Sequence, residues 1–234
     1  MSVAPIALVG SGEYLPVMTE VERALIHGRA PRYVQLATAA APEGDESLAR
    51  WHRLGKAQAD RLGVEQVVVD VRDRADAEDA AHAAAIEGAG LIYLSGGNPA
   101  YLAQTLHETA VWHAIVAAHA AGAAVAGCSA GAMALSDWAP RMRDLRSDEP
   151  SGLRLVPRIR VIPHFDKMLS WVPDVLRNAL LGLPEGTTVL GIDEDTALVG
   201  GPHEWEVQGR QSVWVLGHGS RVEHKPGSRL TVGG

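Results

Sequence analysis

Ala124-Val125-Ala126-Gly127-Cys128-Ser129-Ala130-Gly131-Ala132-Met133 reads as a buried strand, a sharp turn and a helix of small residues. The turn has the spacing G-x-S-x-G, which lifts one hydroxyl out of an α/β sheet at a helix N-terminus. Backbone N–H groups at such a place stabilise a developing oxyanion. Ser129 is therefore a candidate nucleophile. Cys128 competes with it, because a thiol is intrinsically the better nucleophile. The flanking glycines are in register with Ser129, and neighbouring residues point different ways at a turn. Cys128 is accordingly expected as a small packed residue beneath the elbow.

Outward from this stretch, apolar β-rich runs alternate with helical patterns. Strands are expected at Ile6–Val9, Tyr33–Thr38, Val67–Val71, Leu91–Leu94 and Ala123–Gly127. Helices are expected at Glu46–Leu62, stopped by Gly63, and at Ala77–Glu87, Tyr101–Leu106 and Val111–Ala121. Thr19-Glu20-Val21-Glu22 fits a capping box opening a further short helix. This order predicts an α/β fold: a mostly parallel sheet with helices on both faces. Right-handed crossovers put the strand C-termini on one edge, where such sheets bind ligands. The glycine-rich ends at Gly10–Gly12, Gly96-Gly97 and Gly127–Gly131 would converge there. Beyond residue 187, the short runs Thr188–Ile192, Thr196–Val199, Glu204–Val207 and Val213–Leu216 predict a small C-terminal antiparallel β extension of the same domain. Residues 1–234 thus read as a single α/β domain. Pro140–Arg160 is charge-rich and reads as a surface excursion that borders the site.

The chain has 234 residues, 47% of them hydrophobic and 21% charged, and a formal net charge of −7. Its size allows one substantial core. Its acidity argues against nucleic acid or an anionic membrane as partner. The N-terminal stretch Met1-Ser2-Val3-Ala4-Pro5 lacks the charged segment of a signal peptide, and no apolar run reaches transmembrane length. The one cysteine excludes an internal disulfide. A cytoplasmic location and a monomer or homodimer are expected.

A serine nucleophile needs a base. Of ten histidines, His164 stands apart. It follows the strand-like Arg160-Val161-Ile162-Pro163, and strand-end loops hold catalytic groups. A structural histidine fits that position equally well. An acid that orients the imidazole could come from Gly191-Ile192-Asp193-Glu194-Asp195-Thr196, a carboxylate cluster after an apolar strand. A divalent-cation site or a solvated turn are the other readings of that cluster. No HExxH or Cys/His ligand spacing points to a transition metal. An oxyanion needs two N–H donors. Ala130 offers one, and Gly96-Gly97-Asn98 offers another because glycine permits close backbone approach. No complete G-x-G-x-x-G or Walker A pattern is present, so no nucleotide cofactor is expected.

Leu94-Ser95-Gly96-Gly97-Asn98, Gly127-Cys128-Ser129-Ala130-Gly131-Ala132, Val161-Ile162-Pro163-His164-Phe165 and Gly191-Ile192-Asp193-Glu194-Asp195-Thr196-Ala197 together resemble motifs of the dipeptidase E and cyanophycinase family of serine peptidases. The resemblance spans most of the chain in the same order. It implies a fold like the class I glutamine amidotransferases and a Ser-His-Glu triad without metal or cofactor. By position, Ser129 is then the nucleophile, His164 the general base and Glu194 its orienter. The amides of Gly97 and Ala130 become the oxyanion hole. Asn98 matches an asparagine near the family's site, beside Gly96. The implied activity is amide hydrolysis in a small peptide, a dipeptide or isopeptide. After His164 the chain departs from the arginine-containing segment with which dipeptidase E recognises an N-terminal aspartate. Lys167 and Arg177 are the cations that could replace it as a carboxylate partner. Trp138 and Trp171 could flank the site. The competing function is a non-catalytic or glutamine-type ligand-binding member of the same fold.

Overall fold

A computed structural model describes residues 4–140, 151–168, 183, 185–217 and 220–232. Its centre is built from five short strands: β1 (Ile6–Val9), β2 (Arg32–Leu36), β3 (Glu65–Val68), β4 (Leu91–Leu94) and β5 (Ala124–Cys128). They pair in parallel in the order β1-β5-β4-β2-β3. The inner strands are apolar on both faces because helices cover both faces. Ile6, Leu8, Val34, Leu36, Ile92, Leu94 and Val125 point to one layer. Ala7, Val9, Tyr33, Leu91, Tyr93, Ala124 and Ala126 point to the other. The period of two sorts each strand's side chains in this way.

Seven α-helices lie among the described residues of this part of the chain. They are α1 (Thr19–Ile26), α2 (Asp45–Leu62), α3 (Arg74–Ala77), α4 (Ala80–Ala84), α5 (Pro99–Leu106), α6 (Ala110–Ala120) and α7 (Ala130–Leu135). α1 and α2 cover one face through Val21, Leu25, Ala59 and Leu62. α5 and α6 cover the other through Leu102, Leu106, Val111 and Ile115. Gly63 ends α2 in the left-handed conformation at φ +71°.

The chain then forms β6 (Ile159–Ile162), α8 (Phe165–Met168), β7 (Thr188–Ile192), β8 (Thr196–Gly200), β9 (Glu204–Gly209), β10 (Val213–Gly217), β11 (Ser220–His224) and β12 (Arg229–Thr231). The C-terminal strands do not extend a single sheet. β8, β9 and β12 continue the main sheet antiparallel from β1, giving the order β12-β9-β8-β1-β5-β4-β2-β3. β11-β10-β7-β6 make a second sheet, in which β6 and β7 run parallel. The switch between sheets occurs at the tight Asp193–Asp195 turn, where Asp195 has φ +55°.

Three local expectations change. The helix expected at Ala77–Glu87 shrinks to α4 (Ala80–Ala84), and α3 precedes it and ends at Ala77, because Asp73 and Asp79 each cap a new helix start with their carboxylates. The strand expected at Val67–Val71 is Glu65–Val68, at the sheet edge. The capping box at Thr19–Glu22 does not form. Thr19 Oγ1 instead donates to Gln58 Oε1 at 3.3 Å, and Glu22 turns inward to accept the Tyr33 hydroxyl at 2.8 Å.

Burial pushes the Glu22 carboxyl up to about 7, partly offset by its hydrogen bond from Tyr33. The folded state thus holds this proton more tightly than the unfolded chain does. The stability from Glu22 is complete below about 4.5 and is lost as pH rises through about 7. Glu22→Gln should flatten the stability–pH profile over that window. It should stabilise the protein at pH 8 by up to about 3 kcal/mol, measured by denaturant unfolding.

Candidate active site

The elbow is held by close backbone approaches. A Cβ on Gly127 would lie 2.5 Å from the Gly131 carbonyl carbon, and one on Gly131 would strike the Leu94 carbonyl. Glycine at both positions lets α7 start directly against β4 and β5. Ser129 takes φ +51° and ψ −109°, a conformation rare for a residue with a Cβ. Its N–H donates to the Val9 carbonyl at 2.9 Å, which anchors the elbow to β1. Its side chain makes no capping bond to α7. The hydroxyl is therefore available to a partner from elsewhere.

That partner is His164. Ser129 Oγ lies 2.9 Å from His164 Nε2. On the far side of the ring, His164 Nδ1 lies 3.1 Å from Glu194 Oε1. A ring N–H donated to the carboxylate leaves Nε2 as the acceptor for the serine hydroxyl. His164 follows β6 and Glu194 follows β7, the two parallel strands of the second sheet. His164 also has positive φ, at +50°. Phe165, the next residue, is buried. The Phe165 ring occupies the space a side chain on Gly191 would need and packs against Trp214 at 6.0 Å between ring centres.

The three adjacent acids point three ways. Asp193 is buried and accepts from the Ser212 N–H and from Trp214 Nε1, each at 3.1 Å. Burial raises its pKa, and these two donors oppose the rise. Asp195 faces Arg210 at 3.5 Å. Only Glu194 reaches the imidazole. Asp166 does not compete for that role: its carboxylate accepts the Glu194 backbone N–H at 2.9 Å. Gln211 Nε2 adds a bond to the Glu194 carbonyl at 3.0 Å. Among the described residues, no group of three His, Cys, Asp or Glu could hold a metal ion.

Among the described residues, neither the Gly97 amide nor the Ala130 amide donates to a protein acceptor. Asn98 Oδ1 accepts the Tyr101 N–H at 3.0 Å and so caps α5. The Gly96 N–H is taken up by Glu13 Oε1 at 3.1 Å. Gly96 thus lies at the site, with its own amide committed. The Lys167 ammonium lies 3.5 Å from Glu194 Oε2 and is largely exposed. Arg177 and Trp171 lie outside the described residues, as do residues 141–150; the rest of the Pro140–Arg160 stretch is not a surface excursion, because Leu153, Val156 and Ile159 are buried in the core. Trp138 is buried with Ile162, Phe165, Val189 and Leu216, so it is core and not a platform for ligands.

Glu13 was not singled out by sequence reasoning. The available signal was an acid directly after the glycine-rich end of β1, at Gly10-Ser11-Gly12-Glu13. Its Oε2 accepts the Cys128 thiol at 2.8 Å. Cys128 is fully buried, and burial together with the Glu13 charge pushes its thiol pKa well up. Both features keep it protonated and unreactive.

A model of the peptidase family S51 matches residues 25–206. The chain belongs to peptidase family S51. Cyanophycinases of Trichormus variabilis and a Nostoc species are each 31% identical over 169 residues. Those matches cover 67% of this chain and 55% of each relative, so the chain spans about half the length of these curated relatives. The crystal structure of a peptidase from an acI-B1 actinobacterium superposes with a TM-score of 0.89 at 40% identity, covering 98% of this chain and 97% of that one. A protein assigned as peptidase E from Listeria monocytogenes shares the fold, with a TM-score of 0.57 at 17% identity over 94% of this chain and 98% of that one. No helix among the described residues is long and apolar enough to cross a membrane.

Cys128 should resist a thiol reagent in the native protein at pH 8 and react with one equivalent after unfolding. Absorbance titration with a disulfide reagent in the two states checks this. Rapid native reaction would contradict its assignment as a packed residue.

Proposed function

We propose that this chain is a serine peptidase that hydrolyses amide bonds of short or unusual peptides through an acyl-enzyme. The observation that carries the reading is the unbroken relay Ser129 Oγ–His164–Glu194, at 2.9 and 3.1 Å, mounted on a strained strand-to-helix turn. Membership of the S51 family and the likeness to a solved peptidase at 40% identity support it.

In this mechanism His164 Nε2 takes the hydroxyl proton as Ser129 Oγ attacks the scissile carbonyl. Glu194 holds the tautomer that leaves Nε2 free and stabilises the imidazolium that forms. The amides of Gly97 and Ala130 receive the tetrahedral oxyanion. His164 then delivers its proton to the leaving amine, and water, deprotonated by the same imidazole, releases the acyl group. Gly96 and Asn98 border the bound peptide, and Lys167, 3.5 Å from Glu194 Oε2, is the cation assigned to a substrate carboxylate. The likeness to cyanophycinases supports a short or unusual peptide, a dipeptide or isopeptide, as substrate.

Ser129→Ala should abolish both labelling by a serine-directed probe and turnover of a dipeptide and isopeptide library. Glu194→Gln should lower turnover by about 10³- to 10⁴-fold, as loss of a triad acid does. Labelling that persists in Ser129→Ala but vanishes in Cys128→Ala would overturn the nucleophile. A larger loss in Asp166→Asn or Asp195→Asn than in Glu194→Gln would overturn the acid. A triad that is intact but turns over no peptide in the library would favour a ligand-binding role for the same fold.

A further inference from the structure

Glu13 takes no part in the relay, yet its carboxylate is buried directly behind it. Oε1 accepts the Gly96 N–H at 3.1 Å, and Oε2 accepts the Cys128 thiol at 2.8 Å. Gly96 lies in the loop after β4, beside Gly97. Cys128 is the last residue of β5, beside Ser129. One carboxylate therefore ties together the two strand ends that carry the proposed oxyanion donors, Gly97 and Ala130.

The contact is built from several sides. A Cβ on Gly96 would lie 2.6 Å from Glu13 Oε1 and 3.6 Å from Ser129 Cβ. Glycine is what lets the carboxylate reach that amide, and the same atom position nearly touches the nucleophile. The next residue, Tyr14, shares a 2.6 Å hydrogen bond between its hydroxyl and Ser95 Oγ, and its carbonyl accepts the Arg61 guanidinium. Tyr14 has φ +60°, one of the non-glycine positions with positive φ, together with Ser129, His164 and Asp195. Strain of this kind persists where the surroundings over-determine the backbone, and it gathers at functional sites. On the other side of Gly97, the Asn98 N–H donates to the Ala39 carbonyl at 2.8 Å. With the amides of Gly96 and Asn98 both committed, the direction of the Gly97 N–H between them is set.

We propose that Glu13 is a positioning residue: it clamps the Gly96–Gly97 loop to the Ser129 elbow so that the Gly97 and Ala130 amides converge on one oxyanion. The inference rests on the serine-peptidase reading above and extends it to a fourth side chain. The side chain's reach suits the task, because its two oxygens span from the Gly96 N–H to the Cys128 thiol. A hole misplaced by a fraction of an ångström loses much of its effect on the transition state while leaving ground-state binding intact.

The test uses diisopropyl fluorophosphate on the full chain, since its phosphoryl oxygen must enter the same oxyanion hole. Glu13→Ala should lower the maximal labelling rate by about 100-fold, the loss typical of one oxyanion donor. The half-saturating probe concentration and the pH midpoint of labelling, which reports His164, should not move. Glu13→Gln keeps an oxygen for the Gly96 N–H and should stay within about threefold of wild type. Glu13→Asp keeps the charge but is one methylene short, and should lose about tenfold or more. Should Glu13→Ala fail to fold, the aspartate and glutamine variants decide. A slow aspartate and a fast glutamine support the clamp, and wild-type rates in both overturn it. Failure of the wild type itself to label would remove the serine-peptidase reading and the inference together. A labelled wild type with equally labelled variants removes only the role of Glu13.

Discussion

The site depends on one backbone constraint: Ser129 must sit at φ +51° at the end of a central strand. A residue with a Cβ held in such a region costs on the order of 1–3 kcal/mol. The surroundings supply the restraint. β5 is paired on both sides, by β1 and β4, so its last residue has no freedom to relax sideways. The Ser129 N–H is held by Val9, and Gly127 and Gly131 let the first turn of α7 fold back onto the strand. The result is a hydroxyl that projects from the sheet and lacks a local partner. Every other feature of the site answers that geometry.

The answer comes from the second sheet. Parallel pairing of β6 and β7 places the residues after both strands at the same end, so His164 and Glu194 meet although 30 positions apart in the chain. The switch from β7 to β8 carries Glu194 on a turn whose backbone is held by Asp166 and Gln211. Asp193 and Asp195 anchor either side of it, one to Trp214 and Ser212, the other beside Arg210. Both His164 and Glu194 remain about one-third exposed, so solvent can enter and the pair acts by orientation more than by raw electrostatic strength.

Polar groups buried behind the site work as cross-links. Glu13, Tyr14, Ser95 and the Cys128 thiol connect the ends of β1, β4 and β5 in a layer that solvent does not reach. A hydrogen bond in such a layer is costly to leave unmade, which gives it rigidity. Cys128 lies next to Ser129 in sequence but belongs wholly to this layer. Glu22, on the same face of the sheet, shows the opposite balance: its burial is not fully compensated, and its carboxyl holds a proton near neutrality.

The sequence by itself determined the alternation of strands and helices, the parallel centre of the sheet and the elbow at Gly127–Gly131. Those features rest on local periodicity and on glycine spacing, which are visible along one stretch of chain. Motif order also pointed to His164 and Glu194. Their meeting, and the division of the C-terminal strands between two sheets, were decided only in three dimensions. The sequence reads Thr196–Val199 and Val213–Leu216 as alike, because a strand's pattern says which face is buried and not which neighbour it pairs with. Among Asp193, Glu194 and Asp195, identical charge and adjacency leave no one-dimensional distinction; the turn at Asp195 aims the middle side chain at the imidazole. Glu13 was legible least of all. Its two partners lie 83 and 115 positions away along the chain, and only the packing of three strand ends brings them to one carboxylate.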